Sequence, residues 1–348
     1  MLTFPSSTVH SPVVHRPRSV AARMTAVLAA AVLAVTGCAS TETATPDPQS
    51  SASTGTGFPV SVSHKYGATE IKAAPARVVT LGLSDQDPVL ALGVVPVGAI
   101  DWFLERPYGK WPWAQPLWAG KTPEIVGERD EFNLEKVAAL KPDLIIGLYS
   151  GMSKDQYDKL SKIAPTVAQP VGFDDYAAPW QDMTRLAGKA LGREAKAEEL
   201  IAAIDAQLAK LAAGHPEFAG KSVAVVEPYE PGKYAVFAPD DPKVVLLTKL
   251  GFTVPKPIVD AVGNEYAAEI GSEQLSLVDV DKLVFLTADA KTESTVKADK
   301  VYGTLAVAKE NRAVFLPYEE PPLGAALSFS TVLSIPYALD QLVPLLSE

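Results

Sequence analysis

Short, mostly apolar runs recur through the chain at 77–82, 144–148, 221–226, 283–287 and 313–316. Runs of this length without polar alternation predict parallel strands covered on both faces. Between them lie stretches with helical spacing of apolar residues. These predict helices over 88–92, 134–140, 154–163, 176–191, 193–213 and 241–250, and a closing helix or helix pair over 328–346. Asn133 stands ready to accept from the free amides of the 134–140 helix, and Pro142, which lacks an amide, stops it. Only the opening segment alternates with a period of two. Val60, Val62, His64 and Tyr66 predict a β-hairpin over 58–71 that turns at Gly67.

Strand and helix alternating in this way predict an α/β fold built on parallel sheets. The pattern runs twice. Its longest helix, with Ala197, Leu200, Ile201, Ile204, Leu208 and Leu211 on one face and Gly214 as terminator, sits between the two runs. At 1.5 Å per residue it reaches about 30 Å, enough to join two lobes as a stiff strut. The halves also echo each other in detail. Leu92-Gly93-Val94-Val95-Pro96 returns as Leu250-Gly251-Phe252-Thr253-Val254-Pro255. Glu135, at a predicted helix start, is followed eight residues later by Asp143 and a buried strand, as Glu273 is followed by Asp281 and another. An acid in a first helical turn is ordinarily a partner of the helix dipole. The same acid at the same place in two lobes points to a shared partner. Segment 101–120 breaks the alternation and holds four of the five tryptophans, Trp102, Trp111, Trp113 and Trp118, among prolines and glycines. A long loop so rich in rings predicts a ligand wall, with a satellite core as the plainer alternative.

With 348 residues, 47% of them hydrophobic, the chain can fill the cores of two domains. The formal charge is −10, and the first 37 residues carry only Arg16, Arg18 and Arg23 as charges, so the rest is more acidic still. No dense Lys and Arg surface for nucleic acid can be built from it. Residues 1–37 read as an export signal, with arginines, a short apolar run and small residues before a cut site, too short to remain as a membrane span. The single cysteine, Cys38, closes the sequence Val35-Thr36-Gly37-Cys38, so no intramolecular disulfide is possible. Residues 38–57 are rich in Ser, Thr, Ala, Gly and Pro and predict a disordered tether.

Val35-Thr36-Gly37-Cys38 resembles the bacterial lipobox, which implies a diacylated Cys38 that anchors the mature chain in a bilayer. Pro75-Ala76-Arg77-Val78-Val79, Asn133-Leu134-Glu135 with Leu140-Lys141-Pro142-Asp143, and Gly271-Ser272-Glu273-Gln274-Leu275 resemble the substrate-binding lipoproteins of ATP-driven importers for iron siderophores, haem and cobalamin. The resemblance implies two Rossmann-like α/β lobes joined by a long rigid helix, the class III architecture: a first lobe over 58–175, a helical segment over 176–214 and a second lobe over 215–348. It also implies a ligand held in the cleft between lobes, and a membrane permease of an ABC importer docked through Glu135 and Glu273. The expected state is a monomer on the outer face of the cytoplasmic membrane, without a cofactor of its own.

Ligands of α/β lobes sit outside the carboxyl ends of the strands. That rule nominates Ser84, Asp85, Trp102, Tyr108, Trp111, Trp113, Arg129 and Tyr149 from the first lobe, and Tyr229, Tyr234, Phe237 and Tyr318 from the second. The aromatic stretch from Asp101 to Gln115 most resembles ferric-siderophore binders; haem, through a tyrosine ligand, or cobalamin is the alternative. Bare metal is disfavoured because the four histidines, His10, His15, His64 and His215, do not converge on a cleft. Enzymatic chemistry finds no nucleophile elbow, phosphate loop or paired histidines, leaving only strand-end acids such as Glu227 or Asp289.

Overall fold

The computed structural model describes residues 57–101 and 111–348. The export signal, Cys38, most of the tether, Trp102 and Tyr108 lie outside the described residues.

The chain enters through β1 (Val60–His64) and β2 (Gly67–Ile71), antiparallel with His64 opposite Gly67. The turn is therefore Lys65-Tyr66, one step earlier than the pattern predicts. Gly67 serves as the first residue of β2, where its φ of 126° suits a residue without a Cβ. Then come β3 (Val78–Thr80), α1 (Gln86–Ala91), β4 (Gly98–Ala99), β5 (Glu124–Ile125), the small hairpin β6 (Gly127–Glu128) and β7 (Glu131–Phe132), α2 (Leu134–Ala139), β8 (Leu144–Ile146), α3 (Lys154–Leu160) and β9 (Thr166–Val167). The first sheet has the order β5-β4-β3-β8-β9 and is parallel throughout. Helices α4 (Trp180–Ala190) and α5 (Glu194–Gly214) follow.

The second lobe holds β10 (Val223–Glu230), β11 (Lys233–Phe237), α6 (Pro242–Lys249), α7 (Lys256–Val262), β12 (Ala267–Gly271), β13 (Lys282–Thr287), α8 (Ala290–Ala298), α9 (Ala306–Lys309), β14 (Ala313–Pro317), α10 (Leu323–Phe329) and α11 (Ser334–Ser347). Its sheet, β12-β11-β10-β13-β14, is parallel across β10, β13 and β14 and antiparallel across β10, β11 and β12. The antiparallel meander departs from the expected pure βαβ alternation. Pro231-Gly232 turns β10 straight back on itself, so Lys233–Phe237 becomes a strand beside it.

The sequence echo has a structural cause. Asp143 accepts from the backbone amides of Ala76 and Arg77, both at 2.8 Å, tying the start of β8 to the start of β3. Asp281 accepts from the Ser222 amide at 2.8 Å and its hydroxyl at 2.7 Å, tying β13 to β10. In both lobes an aspartate thus sets the register of the two central strands, and the exposed glutamate eight residues before it rides on the segment leading in.

Helix α5 belongs to both lobes. Ala197 packs in the core of the first, whereas Ile204 and Leu208 pack in the core of the second. A second bond between the lobes is polar and buried. Asp87 on α1 accepts from Trp113 Nε1 at 3.0 Å and from the Thr331 hydroxyl at 2.5 Å, the latter in the turn between α10 and α11. Thr331 Oγ1 in turn accepts from the amides of Leu333 and Ser334, so the carboxylate reaches the start of α11 through one hydroxyl.

Burial raises the Asp87 carboxyl to about 7 against the pull of those donors, and burial likewise raises its neighbour Asp85 to about 6. The folded chain therefore keeps protons that an unfolded aspartate gives up near pH 4. The resulting stabilisation is complete below that pH and is lost as pH rises through 6 to 7. Calorimetric melting from pH 5 to 8 should show a falling midpoint. The fall should be shallower in Asp87→Asn, which removes one of the two raised aspartates; an identical slope in both proteins would refute this origin.

Candidate functional site

The loops after β3, β8 and β9 in the first lobe and after β10, β13 and β14 in the second converge on one side, as the carboxyl ends of parallel strands must. The innermost is Gly82–Asp85. The Asp85 carboxylate accepts from the amides of Gly82 at 2.9 Å, Leu148 at 2.7 Å and Tyr149 at 3.0 Å, locking the loop after β3 to the loop after β8. Gly82 is required there, because a Cβ would stand 2.3 Å from Asp85 Oδ2. Ser84 and Asp85 were expected at the ligand surface. Both are buried, and with Thr331 and Val332 they border a void of about 10 Å³, at the limit for one water. They form the packed floor where the lobes meet.

Four of the predicted aromatic contacts are likewise structural. Trp111 and Trp113 stack at 5.1 Å with planes 6° apart and are 3% and 9% exposed. Trp113 leans on Tyr337 at 5.3 Å, and Trp111 meets Phe329 edge-on at the same separation. They are the plainer alternative realised, a satellite core that pins the loop to α10 and α11. Tyr234, 2% exposed, packs in the second lobe's core and donates its hydroxyl to Asp299 at 3.2 Å beneath a surface cavity of about 470 Å³ bordered by Gly232 and α8. Phe237 is buried, its ring covered by Lys243 Nζ at 3.9 Å. Alternating faces of β11 account for Tyr234 and Phe237, since one residue in two on a strand between two others must enter core.

What remains at the cleft is polar and aromatic. From the first lobe come Arg129, Asp130, Tyr149 and Tyr176. Tyr176 donates its hydroxyl to Asp130 Oδ2, Asp130 Oδ1 accepts from the Gly151 amide at 2.9 Å, and Tyr149 meets Tyr176 edge-on at 5.5 Å. Arg129 lies 3.9 Å from Asp130 and over the Tyr176 ring. From the second lobe come Glu227, Asp241, Lys243 and Tyr318, with Tyr229 exposed on the β10–β11 tip. Lys243 and Asp241 pair at 3.0 Å with little exposure, while Asp241 also caps α6 by accepting from the Lys243 amide. Strand β10 is buried through Val226 and opens to solvent from Glu227 onward.

The charges act across the lobes at one point, Tyr149 with Asp241, and within the second lobe among Glu227, Asp241, Lys243 and Tyr318. Burial raises the Tyr149 hydroxyl, the second lobe's Asp241 raises it further, and Arg129 opposes both. Burial raises Tyr318 strongly, with the Glu227 charge adding to it, and its hydroxyl lies 3.0 Å from Ser328 Oγ. Glu227 itself is raised by burial and partly restored by Lys243. Tyr149 and Tyr318 are therefore held as neutral phenols. Of the sequence-nominated residues, Arg129, Tyr149 and Tyr318 fall in this group, while Tyr229 lies exposed on the β10–β11 tip beside Glu269, Lys233 and Glu230. Tyr176, Asp130, Asp241 and Lys243 were not nominated: Tyr176, Asp241 and Lys243 fall in the first residues of the helices predicted over 176–191 and 241–250, and Asp130 in the polar stretch before the helix predicted over 134–140, so acids and hydroxyls at helix starts are the signal that could have found them. Among the described residues no group of three or more His, Cys, Asp or Glu side chains is placed to hold a metal ion.

Glu135 and Glu273 are both exposed. Glu135 lies in the first turn of α2, whose Asn133 cap accepts from the Lys136 amide at 3.0 Å. Glu273 lies in the first turn of a 3₁₀ helix, Ser272–Val278.

Comparison with known proteins agrees with this architecture. The family described as periplasmic binding protein matches residues 78–319, and the chain belongs to it. Among curated relatives, the "Probable siderophore-binding lipoprotein YfiY" of Bacillus subtilis is 31% identical over 75% of this chain and 77% of its own. The Fe(3+)-citrate-binding protein YfmC of the same organism is 30% identical over 76% and 79%. A periplasmic solute binding protein from Mycobacterium smegmatis superposes with a TM-score of 0.74 at 35% identity, covering 83% of this chain and 97% of that one. Streptococcus pneumoniae PiaA in complex with ferrichrome does so at 0.69 and 30%, covering 83% and 97%. The fold is that of the class III binding proteins, two α/β lobes on one long helix.

Because the Asp85 carboxylate cannot move without orphaning three buried amides, Gly82→Ala should destabilise the fold by roughly 2–4 kcal/mol. Urea unfolding reads that value, and a change below about 0.5 kcal/mol would show that the loop relaxes around the methyl group.

Proposed function

We propose that this protein is an extracytoplasmic receptor that captures a ferric siderophore between its lobes and delivers it to the permease of an ABC importer. The observation that carries the reading is the cleft itself. It is walled by neutral phenols, backbone and paired charges, lacks a metal-ligand set among the described residues, and belongs to a family whose similar members are named for ferric chelates. Iron would then enter as a wrapped chelate, with oxygen ligands supplied by the small molecule and the protein recognising its periphery. The receptor carries no cofactor and performs no chemistry on its cargo. Haem is the second reading, and a tyrosine ligand to haem iron binds as phenolate; the negative field on Tyr149 and Tyr318 works against that form.

The relatives' names as lipoproteins support anchoring through an acylated Cys38 on the outer face of the cytoplasmic membrane, with the folded part acting as a monomer on its tether. Matching exposure of Glu135 and Glu273 on the two lobes supports docking to cationic side chains of the permease.

Tryptophan fluorescence titrated with ferric siderophores, haem and cobalamin should show saturable quenching by one or more ferric siderophores. Quenching by haem alone would reject the siderophore reading. The double variant Glu135→Ala, Glu273→Ala should retain ligand affinity within about twofold yet lose cellular iron uptake; normal uptake would remove the docking role.

A further inference from the structure

The described charges of the cleft do not balance. Arg129 is matched by Asp130 at 3.9 Å, and Lys243 by Asp241 at 3.0 Å, each cation with a carboxylate from its own lobe. Glu227 is left over. It sits where β10 emerges from the core, hydrogen-bonded with the neutral phenol of Tyr318, and among the described residues the one cation acting on it is Lys243, already engaged by Asp241. A half-buried carboxylate at the mouth of a strand acts partly through protein rather than through bulk water, so its field on a bound ligand is less screened than that of an exposed charge.

Ferric chelates fall into charge classes by their chemistry. Three hydroxamates neutralise the iron and leave a neutral complex, or a cationic one where the backbone ends in an amine; catecholates and hydroxycarboxylates such as citrate leave anions. We infer that Glu227 is a specificity-determining residue of the cleft, selecting ferric chelates of neutral or positive charge, the trihydroxamate class, and repelling the anionic classes. Its surplus carboxylate accepts from an ammonium or amide on the chelate's periphery. The proposal rests on the siderophore reading above and narrows it.

A series with one iron core isolates charge from shape. Ferric desferrioxamine B carries a free ammonium arm; its N-acetyl derivative is neutral and its N-succinyl derivative anionic. Affinities of the whole folded receptor are measured for these three, for ferrichrome, and for ferric citrate and ferric staphyloferrin B. The wild type should favour the ammonium and neutral forms over the succinyl form by about tenfold for each unit of charge. Glu227→Gln, close in shape, should flatten that ladder by about tenfold, whereas Glu227→Asp, which keeps the charge, should preserve it. Circular dichroism melting establishes that each variant is folded. Equal affinity across the series, tighter binding of the succinyl form, an unchanged ladder in Glu227→Gln, or binding of ferric citrate or ferric staphyloferrin B to the exclusion of the hydroxamates would each overturn the proposal. Binding of no ferric chelate at all would instead overturn the siderophore reading beneath it.

Discussion

Asp87 joins three parts of the molecule that are distant in sequence. One carboxylate oxygen, buried at the junction of the lobes, takes the indole proton of Trp113 and the hydroxyl proton of Thr331, which in turn receives the first amides of α11. Removing a carboxylate from water is costly, and donors that reach it offset part of that cost. Here the donors come from the aromatic loop and from the second lobe, so the burial of Asp87 is tolerable only when loop and lobes are assembled. The stacked pair Trp111 and Trp113 then seals the junction against Phe329 and Tyr337. With α5 packed in both cores, this buried junction ties the two lobes together beneath the cleft.

The same economy of means appears in each lobe. An aspartate just before a central strand holds the start of its neighbour, Asp143 through the Ala76 and Arg77 amides and Asp281 through Ser222. Because each aspartate fixes where its strand begins, the segment leading into it is also fixed, and Glu135 and Glu273 are carried at corresponding places on two differently built lobes. One rides on an α-helix and the other on a 3₁₀ helix. The frame is repeated even where the local helix type is not.

At the cleft, burial and charge act in one direction. Asp241 from the second lobe bears on Tyr149 of the first, and Glu227 bears on Tyr318, so both phenols remain protonated. Among the described residues, Arg129 and Lys243 are each paired with a carboxylate of their own lobe. A surface of this kind recognises the outside of a complete chelate by shape, aromatic contact and hydrogen bonds. It offers iron no set of ligands of its own among the described residues.

Local chemistry was enough to make the two-fold repeat, the strand and helix alternation, the long helix and the paired glutamates legible in the sequence. An amide-free Pro142, an Asn133 cap and an apolar run of strand length act over a few residues and mean the same in any fold. The sequence could not tell which rings line the cleft and which fill the core. Trp111, Trp113, Tyr234 and Phe237 are chemically as fit for a ligand wall as Tyr149 or Tyr318. Their fate depends on neighbours more than 50 residues away, such as Phe329, Tyr337 and Asp299. The pairing of cations was hidden for the opposite reason: Arg129 with Asp130 and Lys243 with Asp241 are near neighbours in sequence, but only the folded loops show that they pair and that Glu227 stays outside. Sequence determined the frame because hydrogen-bond geometry and hydrophobic period are local; the character of the cleft belonged to the tertiary structure because burial and electrostatic pairing are properties of assembled surfaces.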